Sequence, residues 1–151
     1  MKKPKKNDLA KIAFVVYAAA MFWLLFGQRV GWDTSGGYVQ QIQQNVNRIP
    51  LHTIRLYLSL LKQTESPYLL RHAIVNLVGN VVMFIPLGYF LPRIWKGMRK
   101  LWKVFFLVLL GIVAVELLQL VTLLGSCDVD DVILNLVGTV IGYATWRILP
   151  K

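Results

Sequence analysis

The chain has 151 residues, is 56% hydrophobic and only 16% charged, and has a mean hydropathy of +0.55 with a formal net charge of +10. A soluble domain carries about 25% charged residues, and here the polar residues are bunched between long apolar runs, which excludes an ordinary water-soluble domain and makes the bilayer the natural solvent. The single cysteine, Cys127, excludes an internal disulfide or a cysteine-built zinc site, and His52 and His72 follow no ligand spacing, so neither a metal nor a cofactor is expected.

The first element is a span over about 12–27, IAFVVYAAAMFWLLFG, behind a lysine-rich start. A basic start and an apolar core also describe a signal peptide. The small residues Ala18–Ala20 sit inside the core, however, and Gln28–Gly31 offers no cleavage site, so an uncleaved anchor is the better reading. The run is short, which leaves Lys11 and Arg29 to snorkel at its ends.

Residues 28–71 form the one sizeable polar section and read as an extracytoplasmic loop. Gly31, Gly36 and Gly37 mark turns, and QQIQQNVN is a weakly amphipathic stretch. In IPLHTIRLYLSLLK, Leu51, Ile54, Leu58 and Leu61 fall at helical spacing with Arg55 and Lys62 off that face. This predicts a helix, either lying in the outer interface or packed on the spans.

A second span is predicted over about 73–91, with Pro86 expected to kink it or end its regular part. A basic linker, 92–103, precedes a third span over about 104–124. A fourth covers about 132–149 and stops at Pro150. The expected architecture is all-α: one polytopic domain with a four-helix membrane bundle and an extra outer helix.

Charge sets the orientation. Lys2, Lys3, Lys5, Lys6, Lys11, Arg93, Lys96, Arg99, Lys100, Lys103, Arg147 and Lys151 all fall on one side if four segments span. That is the positive-inside pattern, with both termini cytoplasmic, and it argues against a nucleic-acid partner. The outer side keeps Arg29, Arg48, Arg55, Lys62 and Arg71 against Asp33, Glu65, Asp128, Asp130 and Asp131, and is near neutral.

The second and fourth spans share a repeat, NLVGNVV at 76–82 and NLVGTVI at 135–141. With both running inward, Asn76 and Asn135 lie at equal depth, about 6 Å below the outer boundary. Counting back from Leu124 puts Gln119 about 7 Å and Glu116 about 12 Å deep, with Asn80 also about 12 Å deep. Two layers result: Asn76, Gln119 and Asn135 above, Asn80 and Glu116 below. Polar groups facing lipid are costly, so these should converge between helices. Gly138 and Gly142 form a GxxxG motif, and Gly79 is the repeat equivalent of Gly138, allowing close backbones.

Asp131 and Asn135, four apart, extend the polar stripe to the surface, while Asp128 or Asp130 could cap the fourth helix. The bland reading of the amides is interhelical glue. A membrane carboxylate such as Glu116 is a functional candidate by default.

The blocks NLVGNVVMFIPLG, ELLQ and DVDDVILNLVGTVIGY, in this order and spacing, resemble the VanZ-like family, and NRIPLHTI at 47–54 looks like its N-x-I-P-F-x-T-I element. The matches span about residues 47–143. The family's recurrent positions fall on Asn76, Asn80, Pro86, Gly88, Glu116, Gln119, Asp128, Asp131, Asn135 and Gly138. Leu51 replaces the usual phenylalanine, and Leu124–Cys127 lacks the arginine many members carry before the aspartates. The resemblance implies a bacterial plasma-membrane protein connected with resistance to teicoplanin-class glycopeptides.

Three functions compete at this stage. One is a non-enzymatic protein whose outward polar pocket, built from Asn76, Asn80, Glu116, Gln119, Asp128, Asp131 and Asn135, binds a cell-wall precursor lipid or a lipoglycopeptide. Another is an intramembrane enzyme using Glu116 and Asp131 as acid and base. The depth count leaves Glu116 about 12 Å below the aspartates, which is far for such a pair. The third is a small transporter or channel subunit, which would require a homodimer.

Overall fold

The computed structural model describes residues 6–27 and 37–149. The loop glycines Gly31 and Gly36, the outer charges Arg29 and Asp33, and the terminal Lys2, Lys3, Lys5, Pro150 and Lys151 lie outside the described residues. The elements in order are α1 (Lys6–Phe22) continuing as a π-helical turn (Trp23–Gly27), α2 (Tyr38–Gln44), β1 (Val46–Asn47), α3 (His52–Gln63), α4 (Pro67–Ile94), a 3-10 turn (Lys96–Met98), α5 (Leu101–Val121), β2 (Cys127–Asp128) and α6 (Val129–Ile148). Among the described residues the architecture is helical, apart from one parallel strand pair matching Val46 with Cys127 and Asn47 with Asp128.

Among the described residues, three helices are long and apolar enough to cross a membrane: Asp8–Gly27 with 20 residues, Pro67–Ile94 with 28 and Leu101–Val121 with 21. At 1.5 Å per residue each reaches about 30 Å or more, the thickness of a hydrocarbon core. Helix α6 has 20 residues but carries Asp130, Asp131, Asn135 and Thr139, and it is not one of the three.

Pro86 does not end α4. The helix runs on through Pro86 and Pro92 to Ile94, and it starts at Pro67, six residues before the expected boundary. A proline removes one ladder donor, and a membrane helix tolerates it where neighbours serve the freed backbone groups. The carbonyl that Pro86 leaves without its ladder donor is that of Val82, and to the adjacent Met83 carbonyl the Tyr17 hydroxyl donates at 2.7 Å.

Helices α4 and α6 make the tightest contact. A Cβ added at Gly138 would collide with the Val81 carbonyl, and one at Gly142 with that of Ile85. The two pairs advance together, so α4 and α6 run parallel at small-residue spacing. Gly79, expected to share this role, faces only Val75 of its own helix and leaves room for a side chain. The equivalence fails because the repeat units pack against each other off register, with Gly138 meeting Val81 rather than Gly79.

Helix α1 lies antiparallel on α4, where Phe14 meets Phe90 edge-on at 6.1 Å and Trp95 at 5.3 Å. Helix α5 is antiparallel to α6: the Tyr143 hydroxyl donates to the Arg99 carbonyl at 2.7 Å at one end, and Glu116 meets Asp128 at the other. A core of Phe84, Leu91, Val104, Val108 and Ile112 lies between. The basic residues Arg93, Lys96, Arg99, Lys100, Lys103 and Arg147 therefore gather at one end of the bundle, and α2, α3 and the strand pair cover the other.

Candidate functional site

The covered end is organised by three acids within four residues, Asp128, Asp130 and Asp131, and their partners. Asp128 precedes α6 and caps it, its Oδ1 accepting the Asp130 amide at 2.8 Å. The same carboxylate accepts the Asn47 amide nitrogen at 3.0 Å and the Thr53 hydroxyl at 2.6 Å. Asp130 is fully buried, and its two oxygens accept the backbone N–H groups of Leu51 and Ile54. Leu51 stands before α3 in the left-handed region, φ 65°, and offers no capping side chain. Asp130 thus supplies from α6 the acceptor and negative charge that the α3 N-terminus lacks. Asp131 accepts from Asn80 on α4 at 2.6 Å.

Glu116 lies beside this network. It is 6% exposed, and its Oε2 accepts the Asp128 amide at 3.2 Å. The expected vertical gap of about 12 Å between Glu116 and the aspartates is therefore wrong for Asp128. Helix α5 ends at Val121, not at Leu124, and the chain doubles back through Leu123 at φ 54°. The Cys127 amide then bonds the Asn45 carbonyl at 2.8 Å, and the strand pair draws residues 127–128 down to the level of Glu116.

The expected upper layer is not one network. Asn76 turns back on its own helix, donating to the His72 carbonyl at 2.8 Å. Gln119 is buried and donates to the Leu25 carbonyl at 3.0 Å, serving the π-helical end of the first span. Asn135 is 5% exposed, and its side-chain oxygen has no hydrogen-bond partner among the described residues.

Four of the candidate residues line two separate cavities, and Gln119, Asp131 and Asn135 line neither. Glu116 and Asp128 line one of about 420 Å³, with Asn47, Arg48, Cys127 and the apolar Val113, Leu117, Leu120 and Val132. Asn76 and Asn80 sit in another of about 460 Å³ between α1 and α4, beside Tyr17, Met21 and Pro86. The hydrogen bond from Asn80 to Asp131 ties this second region to the acid triplet.

Electrostatics mark the first cavity as acidic inside. Burial, then the Glu116 and Asp128 charges, push the Cys127 thiol up, while Arg48 pulls it down. Burial and the charges of Asp131 and Asp128 likewise push the Tyr57 phenol up. Asn47, Thr53 and Asp130 escape a spacing argument because the partners that tie α3 and its approach to α6 lie 75 or more positions away. The NRIPLHTI element held the one usable signal.

Residues 14–150 match the VanZ/LLP1 family. Protein VanZ of Enterococcus faecium is 32% identical over 76 residues, which is 50% of this chain and 47% of that relative. The match thus spans less than half of the relative's length. No solved structure matches the chain.

Proposed function

This chain belongs to the VanZ/LLP1 family, and from that premise we propose that it is a four-span bacterial plasma-membrane protein whose outward cavity binds a lipid-linked or lipidated ligand. Its contribution in this reading is to glycopeptide resistance of the teicoplanin class. Both termini face the cytoplasm. The collection of Arg93, Lys96, Arg99, Lys100, Lys103 and Arg147 at one end supports this orientation, because cytoplasmic flanks concentrate Lys and Arg. A fourth span is supported by the two-sided character of α6. Its Val137, Val140 and Ile141 are exposed on the outside of the bundle, while Asp130, Asn135 and Thr139 are buried.

One observation carries the reading. Glu116 is a buried carboxylate on an apolar helix, and it lines a cavity that a small polar group could enter. Intramembrane acids of this kind are costly and mark functional sites more often than structural ones. Asp131, the partner an acid–base pair would need, accepts from Asn80, and the oxygens of Asp128 and Asp130 are occupied by capping and cross-element bonds, which supports a binding role over acid–base chemistry.

The test is the glycopeptide sensitivity of cells carrying the wild-type chain or Glu116→Gln, with membrane levels measured in parallel. Protection should be lost in the variant at equal protein level. Full protection by Glu116→Gln would overturn the proposal.

A further inference from the structure

The cavity between α1 and α4 differs in kind from the acidic one. Among the described residues that line it none is charged, and its polar side chains are those of Tyr17, Asn76 and Asn80. Each has committed its donor atom elsewhere. The Tyr17 hydroxyl donates to the Met83 carbonyl at 2.7 Å. The Asn76 amide nitrogen donates to the His72 carbonyl at 2.8 Å, and that of Asn80 to Asp131 at 2.6 Å. Both partners are acceptors, which fixes the nitrogen end of each amide. What remains for the cavity is a set of acceptors: the Oδ1 atoms of Asn76 and Asn80 and the Tyr17 oxygen. None of them receives a hydrogen bond among the described residues.

Gly79 lies with the two asparagines on one face of α4. Its counterpart in the repeat, Gly138, is required by the approach of α4 and α6, but a Cβ at Gly79 would meet only Val75 of its own helix, at 3.9 Å. Helix packing therefore gives no reason for a glycine here. The cavity does, because its floor beside Asn76 and Asn80 is the space a side chain would fill. Leu24, Val75 and Val82 on the rim are exposed. The cavity thus opens sideways from the bundle, where acyl chains lie against a spanning α1 and α4.

We propose that this cavity binds the head of a membrane glyceride, its free hydroxyls donating to Asn76 and Asn80 over Gly79 and its acyl chain leaving between α1 and α4 into the bilayer. The inference goes beyond the outward-cavity reading and does not rest on Glu116. At about 460 Å³ the space falls within the roughly 300–1,000 Å³ of small-molecule sites. An acceptor set gives nothing to a phosphate or an ionised carboxylate, which bring no hydrogen. An ammonium would be desolvated with no carboxylate in the lining. A sugar head brings more hydroxyls than these acceptors serve, and each one left over is costly against the apolar wall of Ala20, Met21 and Leu24.

The experiment photo-crosslinks the full chain, in phosphatidylcholine nanodiscs that supply no hydroxyl donor, with a monooleoylglycerol carrying a diazirine in its acyl chain. Adducts should concentrate in the peptides holding residues 17–24 and 75–86. Excess unlabelled monooleoylglycerol should cut that yield several-fold, and methyl oleate and oleate should not. Gly79→Leu fills the floor and should all but abolish the adducts. Gly111→Leu, at an open position on α5, should leave them unchanged. Asn76→Leu removes one neutral acceptor and should weaken the competition about fivefold. A thermal melt establishes that each variant is folded.

Equal competition by methyl oleate, adducts spread evenly over the helices, or a yield indifferent to a folded Gly79→Leu would overturn the proposal. Where Gly79→Leu does not fold, Asn76→Leu carries the test, and unchanged competition in that variant overturns the proposal as well. Stronger competition by oleyl glucoside than by monooleoylglycerol at equal concentration would overturn the glyceride as source.

Discussion

Asp130 accepts the backbone N–H of Ile54 at 3.0 Å, a bond between residues 76 positions apart that fixes where α3 begins. Helix α3 is thereby fastened to α6 through a buried carboxylate, not through its own cap. Removing that acceptor leaves two amide donors at the α3 N-terminus without their partner.

Asp130→Ala should therefore destabilise the protein by about 1–3 kcal/mol, the usual penalty for orphaned buried donors. Hydrogen exchange should rise first in His52–Gln63, ahead of α4 and α5. Uniform exchange across the helices, or none, would show that α3 is held by something else.

The glycines offer a paired comparison. Gly138→Ala and Gly142→Ala push a methyl group into the Val81 and Ile85 carbonyls, so each should cost about 1–3 kcal/mol as α4 and α6 are forced apart. Gly79→Ala meets only a van der Waals neighbour at 3.9 Å and should be neutral or slightly stabilising. Melting temperatures in one detergent decide the matter. The expected order is reversed only if the repeat units pack in register.

Much of the fold was legible from composition and period. Long apolar runs predicted four long helices, with boundaries up to six residues off, and three of those described are long and apolar enough to cross a membrane. The site was legible in part. Glu116 and Asp128 do come together, but Asn76 and Gln119 satisfy their amides locally at His72 and Leu25. Depth along a helix says nothing of azimuth, and a nearby backbone carbonyl competes with a distant side chain. The β1–β2 pair was invisible, since two residues per strand carry no periodic signal.

The thiol of Cys127 gives a pH prediction. Its proton is held more tightly in the folded chain, through burial and the Glu116 and Asp128 charges. As pH rises through the thiol range the unfolded chain deprotonates first, so folded stability should fall with rising pH there. In Glu116→Gln one of those charges is gone, and the alkylation midpoint should move to lower pH. In Arg48→Gln it should move higher. Identical pH profiles for all three chains would mean that these charges do not reach the thiol.

The most direct measurement concerns which side of the membrane the acid-lined cavity faces. Intact cells expressing the chain are treated with a membrane-impermeant maleimide, at a pH high enough to populate the Cys127 thiolate, and compared with permeabilised cells. The outward placement predicts comparable labelling of Cys127 in both. Labelling that appears only after permeabilisation would put Glu116, Asp128 and their cavity on the cytoplasmic side and contradict the account.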